Sequence, residues 1–126
     1  MKRFIVAAAA LVVLAIGTTS ANGALNVITS TEDLASIARE VGGDKIKVES
    51  LARGYQDPHF VEAKPSFVLK LNKADLLIVV GRELEIGWLP PLVNQARNPR
   101  IAPNGDRYLD ASLTANILAL GFKSAF

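Results

Sequence analysis

The chain has 126 residues, with 14 basic and 12 acidic side chains, one histidine and no cysteine. This length suits one domain rather than two, and the lack of cysteine excludes disulfides and thiolate metal sites within this chain. The formal charge of +2 does not indicate nucleic-acid binding, because part of the basic charge lies in the N-terminal segment.

Residues 1–23 have the pattern of a cleavable secretory signal peptide. Two basic residues precede an apolar run over residues 4–16, and small residues follow, with candidate cleavage sites after Ala21 or Gly23. The run is shorter than the roughly 20 residues of a membrane-spanning helix, although an uncleaved N-terminal anchor is the alternative. Because no cysteine that could carry lipid follows the run, we expect a periplasmic protein that is soluble and has no lipid anchor.

Cleavage would remove two of the 14 basic residues, so that 12 remain against 12 acidic ones. The mature part, residues 24–126, is therefore close to neutral, and a nucleic-acid partner is not expected. Its roughly 100 residues suffice to bury a small hydrophobic core.

The first strand and helix of the mature part are predicted over residues 25–43. Residues 25–29 are rich in β-branched side chains, which is typical of a strand. Ser30 followed by Asp33 resembles a capping box and predicts a helix start, and Gly42-Gly43 predicts its end. We expect this helix to bury one face, because apolar residues recur at helical spacing. That face consists of Leu34, Ile37, Ala38 and Val41.

A second strand is predicted over residues 46–51, and a polar loop over residues 53–64 follows it. Pro65 and Ser66 then favour the first turn and the cap of a helix. Residues 76–80 form a continuous apolar run, which is typical of a strand buried on both faces.

The last predicted elements lie between residues 84 and 102. A turn or short helical segment over residues 84–88 precedes a helix that starts at Pro90-Pro91 and reaches Ala96. Asn98-Pro99 ends that helix, and Ile101-Ala102 is the candidate for a brief fourth strand.

Alternating strands and helices at this spacing predict βαβ units with a parallel sheet, hence an α/β fold. In open sheets of this kind, ligands bind outside the carboxyl ends of the strands. The loop over residues 53–64 leaves the carboxyl end of the second strand and is therefore the candidate site.

His59, the single histidine of the chain, lies in this loop. Neutral imidazole is a common ligand of zinc and manganese-class ions. Pro58 restricts the backbone just before it, and Asp57 could orient the ring by accepting a hydrogen bond. Glu62 is a second acidic candidate for supporting the ligand from behind, although two acids near a loop are more often solvated than catalytic. Taken alone, a single loop histidine is more often an ordinary residue than a ligand.

A longer ordered series surrounds His59. It consists of Asp57-Pro58-His59, Glu62, Pro65-Ser66, Ala74-Asp75-Leu76, Gly81, Leu84-Glu85 and Trp88-Leu89. In order and spacing, the series resembles the N-terminal half of the periplasmic zinc- and manganese-binding receptors of metal ABC importers. The resemblance covers residues 25–110.

The resemblance implies a receptor, not an enzyme, that binds zinc, or alternatively manganese, and delivers it to the membrane permease of an ABC importer. It implies a monomer in which residues 24–126 form the parallel-sheet N-terminal lobe, with the second lobe and the long joining helix missing. His59 matches the family's ligand histidine, whereas Glu62, Pro65 and Leu84-Glu85 look like framework.

In the family, the remaining ligands are a second histidine, a histidine or glutamate, and an acidic residue, all from the later part of a longer chain. A tight zinc site needs about four donors, so His59 alone would bind weakly and without selectivity. Glu62, Glu83 and Glu85 could add oxygen donors, but nothing in their spacing requires it.

Two other interpretations stay open. The chain could be a truncated or frameshifted product of this family without transport activity of its own, since residues 119–126 no longer resemble the family. A small hydrolase with His59 as its base is the other, but no nucleophile-elbow motif accompanies the histidine. Tyr55 and Trp88 are expected to be packing or rim residues.

Overall fold

The computed structural model describes residues 23–115. The predicted signal peptide, apart from Gly23, and the divergent segment 119–126 lie outside the described residues. None of the helices within residues 23–115 combines the length and the apolar composition of a membrane-spanning segment. The elements, in chain order, are β1 (Leu25–Thr29), α1 (Glu32–Gly42), β2 (Ile46–Ser50), α2 (Pro65–Asn72), β3 (Leu76–Val79), α3 (Leu89–Ala96) and β4 (Tyr108–Asp110).

The four strands form one parallel sheet in the order β2-β1-β3-β4. Val27 of β1 lies opposite Val48 of β2 on one side and Leu76 of β3 on the other, and Leu77 of β3 lies opposite Tyr108 of β4. Helices connect the successive strands, so the predicted α/β class with a parallel sheet is confirmed. Because β1 lies between β2 and β3, the connections diverge at the β1–β3 pair, where such sheets have their crevice.

The fourth strand is not where the sequence placed it. Ile101 ends a short 3₁₀ turn, Pro99–Ile101, and the strand is Tyr108–Asp110. The Ile101 side chain is fully buried in the core. A short apolar pair after a breaker can be buried from a turn as well as from a strand, and periodicity over two residues cannot distinguish them.

One face of the sheet carries the hydrophobic core. Helices α2 and α3 pack against each other and cover this face, to which Ile28, Leu77 and Val79 contribute. Leu71 and Leu77 have no exposed surface. The helix residues of the core are Phe67, Leu71, Leu89, Leu92, Val93 and Ala96.

The opposite face is covered only in part, by α1, which packs on β1 and β2. The helix buries Ala35 and Ala38, whereas Ile37 and Val41 are 61% and 84% exposed. The expected buried face of α1 is thus wrong for these two residues. An open apolar groove of about 500 Å³ lies beside the helix. It is lined by Leu25, Val27, Leu34, Ile37, Ala38, Val41, Gly42, Ile46, Leu76, Ile78, Leu109 and Ala111.

The β3 strand shows the same asymmetry. Leu77 and Val79 are buried in the core, while Leu76 and Ile78 are partly exposed and line the groove. The expectation that β3 is buried on both faces is therefore wrong for the described residues. A run of apolar residues shows that both faces are apolar, but not that both are covered.

Two helix starts differ from the capping predictions. Thr31 is the N-cap of α1 without a side-chain capping bond, and Ser30 instead donates its hydroxyl to Glu85. Lys64 precedes α2, with Pro65 in the first turn as predicted and Ser66 inside the helix. A capping motif in sequence competes with tertiary partners, which are not visible locally.

Candidate metal centre

The loop that carries His59 begins as an extension of the sheet. The backbone amides of Leu51 and Ala52 donate to the carbonyls of Thr29 and Ser30, at 2.9 and 3.0 Å. Both Leu51 and Ala52 are buried, as is Val61 at the far side of the loop. The chain between these anchors, residues 53–60, lies mostly on the surface at the carboxyl end of β2. The sheet therefore holds the loop where the sequence argument predicted a ligand site.

Asp57 and His59 form a compact turn. One carboxylate oxygen of Asp57, Oδ1, accepts from the backbone amide of His59 at 2.9 Å and lies 2.8 Å from the ring Nδ1. The amide of Phe60 closes the turn by donating to the Asp57 carbonyl at 3.0 Å. These bonds lower the pKa of the Asp57 carboxyl, first through the backbone amide of His59 and then through its ring.

The contact with Asp57 favours one tautomer of the neutral His59 ring. With Nδ1–H donating to a carboxylate, the neutral ring carries its lone pair on Nε2, as in the histidines that bind metals in proteins. The His59 side chain is 59% exposed, so Nε2 can reach an ion from solvent. The structure thus brings together the two residues, Asp57 and His59, that the sequence paired.

Glu62 is not part of this arrangement. Its side chain is exposed, and within residues 23–115 no hydrogen bond or ion pair joins it to His59. The part of the chain that the structure describes contains no group of three or more His, Asp or Glu side chains able to hold a metal ion. An ion bound tightly at His59 would therefore need ligands other than the side chains of residues 23–115.

Aromatic side chains surround the turn. Phe60 is 82% exposed, with its ring centroid 6.2 Å from that of His59, and Tyr55 is also exposed, accepting a hydrogen bond from Arg53. Trp88 is different, because it is buried in the core and its indole Nε1–H donates to the Pro58 carbonyl at 2.8 Å. Sequence reasoning assigned Trp88 to packing and missed this contact, for which the sequence offers no local signal.

The crevice between β1 and β3 is filled from within the protein. Glu85 accepts from the Ser30 hydroxyl at 2.5 Å and from the backbone amides of Val80 and Gly81 at 2.7 and 3.2 Å. Glu85 is only 5% exposed. The resemblance assigned Glu85 to the framework rather than to the ligands, and these three donors leave it in that role.

The turn beyond β3 is unusual in its backbone. Gly81 has φ +85°, and the next two residues, Arg82 and Glu83, also have positive φ values of 54° and 67°. A side chain at position 81 would collide with Asp110 and Ser112, so glycine is needed there for both space and conformation. Glu83 lies on the surface, and no hydrogen bond joins it to His59 among the described residues.

Comparison with known proteins gives one family. The family model described as "Zinc-uptake complex component A periplasmic" (ZnuA) matches residues 27–115. The manganese ABC transporter substrate-binding lipoprotein scaA of Streptococcus gordonii is 39% identical over 83 residues, which are 64% of this chain and 27% of that protein. The lipoprotein PsaA of Streptococcus pneumoniae, with the same functional description, is 39% identical over 80 residues, 61% of this chain and 26% of that protein.

Solved structures of periplasmic metal-binding proteins are also similar to this chain. A crystal structure of ZnuA matches with a TM-score of 0.56 and 29% identity, covering 60% of this chain and 30% of that one. A manganese-bound periplasmic metal-binding protein from Candidatus Liberibacter asiaticus has a TM-score of 0.62 at 18% identity, covering 79% and 35%; this match shows the fold alone. The chain spans about a quarter of the length of the curated relatives it matches.

These relatives correct one expectation. The sequence predicted a periplasmic protein without a lipid anchor, but the relatives from three Streptococcus species are named lipoproteins. The prediction of no lipid anchor is therefore wrong. It depended on the absence of a single residue type, cysteine, which is a weaker argument than the description of the relatives.

The family model covers most of the chain and includes the Asp57-Pro58-His59 turn, the crevice residue Glu85, the later part of β1 and the other three strands. The relatives are substrate-binding proteins of metal ABC transporters. The chain belongs to the ZnuA family of periplasmic metal-uptake components.

Proposed function

We propose that this chain is the N-terminal, metal-binding lobe of the substrate-binding component of an ABC importer for zinc or a similar divalent metal. Residues 1–23 direct export as a signal peptide, and residues 24–126 form the lobe. The role is binding and delivery of an ion to a membrane permease rather than catalysis. The lobe acts as a monomer whose partners are the ion and the permease.

The observation that supports this proposal most directly is the Asp57–His59 pair. The 2.8 Å contact between the carboxylate and Nδ1 leaves Nε2 as the free nitrogen on an exposed ring. A carboxylate that accepts the other ring proton makes imidazole a better metal ligand and sets its orientation. We therefore assign His59 as a metal ligand and Asp57 as the residue that orients it.

Capture of the ion requires more than His59. Structural and transport zinc sites with high affinity have about four donors, and residues 23–115 supply no cluster of three. In the proposed function, the other donors come from chain outside residues 23–115, in keeping with the quarter of the relatives' length that this chain spans. The second candidate function is that of a truncated or frameshifted product of this family. Such a product, with His59 as its one ligand, would bind metal weakly and would not transport it.

Zinc is the metal proposed first and manganese second. The family description names zinc uptake, whereas the relatives scaA and PsaA are named for manganese. Imidazole nitrogen suits zinc better than manganese, which prefers oxygen ligands, and this supports placing zinc first.

The proposal is tested by calorimetric titration of the full chain with zinc chloride and, separately, with manganese chloride. His59→Ala removes the one nitrogen donor, so we expect the already weak zinc affinity of this chain to fall at least about tenfold further. Phe60→Ala is the matched control, because it removes a neighbouring exposed ring that has no nitrogen to donate to a metal. Unchanged zinc affinity in His59→Ala, or an equal loss in Phe60→Ala, would refute the assignment of His59.

A further inference from the structure

The turn that presents His59 is held to the protein body by a side chain from a distant part of the sequence. Trp88, the single tryptophan of the chain, is 5% exposed and sits at the N-terminus of α3. Its indole Nε1–H donates to the carbonyl of Pro58 at 2.8 Å, across 30 positions of sequence. The Pro58 carbonyl directly precedes the backbone amide of His59, so this bond acts on the backbone of the candidate ligand.

The remaining hydrogen bonds of the turn are local. The amides of His59 and Phe60 and the ring of His59 all bond to Asp57, so they set the shape of the turn but not its place on the protein. The indole bond adds a direct link between the turn and the protein body, in addition to the buried Val61 at the far side of the loop, since Trp88 belongs to the hydrophobic core. The backbone of Gly87 also lies next to the turn, because a Cβ built at this glycine would be 3.7 Å from the His59 carbonyl oxygen.

We propose that Trp88 is a positioning residue for metal binding, which holds the Asp57–His59 turn against the start of α3 without touching the ion. This inference rests on the proposed function of His59. Metal affinity depends on holding a ligand in place beforehand, because a turn that must be ordered on binding loses conformational entropy at that step. Loss of the indole N–H should therefore weaken zinc binding even though every donor atom remains.

The variant Trp88→Phe tests the proposal because it keeps an aromatic ring in the core but removes the N–H donor. We expect zinc affinity of the full chain, measured by calorimetry, to fall roughly tenfold, the lower range for residues that support a ligand. Asn72→Ala is the matched control. It removes a side-chain N–H bond of the same 2.8 Å length to the carbonyl of Ala96, at the opposite end of α3, and should leave zinc affinity unchanged.

A second measurement uses the wild-type chain and does not depend on the folding of the variant. The single indole gives one ¹H–¹⁵N cross-peak, which needs no assignment among several. We expect zinc to shift this cross-peak in the wild type and to leave it in place in His59→Ala. A cross-peak that stays fixed while zinc binds the wild-type chain would overturn the proposal.

The outcomes separate the two proposals. If His59→Ala abolishes zinc binding but Trp88→Phe binds as tightly as the wild type, the role of Trp88 is refuted and that of His59 stands. If Trp88→Phe and Asn72→Ala weaken binding equally, Trp88 acts through general stability and the positioning role is refuted. If His59→Ala binds zinc unchanged, the proposed function fails, and the role of Trp88 fails with it.

Discussion

Glu85 shows at the scale of one residue why the usual ligand position of this sheet is closed. The crevice between the carboxyl ends of β1 and β3 is where open α/β sheets bind ligands. Here its donors, the Ser30 hydroxyl and the amides of Val80 and Gly81, are all taken by the Glu85 carboxylate. The candidate ligand His59 lies instead on the loop beyond the edge strand β2.

Replacement of Glu85 by glutamine should destabilise the fold. The amide oxygen can still accept from Ser30 and Val80, but the amide nitrogen would face the Gly81 N–H, which leaves a buried donor without a partner. We expect the free energy of unfolding to fall by about 1–3 kcal/mol, as measured by urea denaturation. Glu83→Gln makes the same chemical change at an exposed site in the same turn and should be nearly neutral. Equal stability of the two variants would show that the carboxylate is not needed in the crevice.

At the scale of the secondary-structure elements, Asn98 has two roles: it follows the end of α3 and it caps the end of α2. The Asn98 side-chain amide donates to the carbonyls of Leu71, Asn72 and Ala74, at 3.0, 3.2 and 2.8 Å. Carbonyls at the end of a helix lack partners within it, and Asn98 supplies them from the turn after α3. The Asn98-Pro99 pair therefore ends one helix and caps another.

Substitutions at Asn98 test this role. Asn98→Ala should lower the free energy of unfolding by about 1–2 kcal/mol, because the carbonyls lose a neutral donor. Asn98→Asp should cost more than alanine, since a carboxylate at the C-terminal end of α2 faces carbonyl oxygens and the negative end of the helix dipole. Urea denaturation at neutral pH measures both. An aspartate variant as stable as the alanine variant would argue against this cap.

At the scale of the whole molecule, the two faces of the sheet differ. Leu77 is fully buried beneath α2 and α3, whereas Leu109 is 46% exposed and lines the open groove beside α1. Both are leucines on neighbouring strands of one sheet, so truncating each to alanine compares the packing of the two faces with the same side chain removed. The core on one face therefore carries more of the stabilisation than the half-covered face.

Leu77→Ala should cost about 2–5 kcal/mol of unfolding free energy, the range for a leucine removed from a packed core. Leu109→Ala should cost less than half of that, because its side chain already contacts solvent. Urea denaturation of both variants gives the comparison. An equal loss at both positions would mean that the groove face is as tightly packed as the core face.

The local parts of the fold were predictable from the sequence alone. The bounds of β1, the start of β2 at Ile46, the end of α1 at Gly42-Gly43 and the start of α2 at Pro65 agree with the structure, and β2 ends one residue earlier than predicted. These features depend on β-branched runs, glycine and proline, whose effects reach only a few residues. The Asp57–His59 pair was predictable for the same reason, since its two members are separated by one residue.

Contacts between distant segments were decided only by the tertiary structure. Ser30 and Glu85 are separated by 55 positions, and Pro58 and Trp88 by 30, so no spacing rule connects them. The exposure of Ile37 and Val41 depends on what covers one face of the sheet, which helical periodicity does not encode. Local sequence signals were enough to predict the first three strands, the three helices and the Asp57–His59 turn. Packing decided which apolar faces are buried, where the fourth strand pairs and what holds His59 in place.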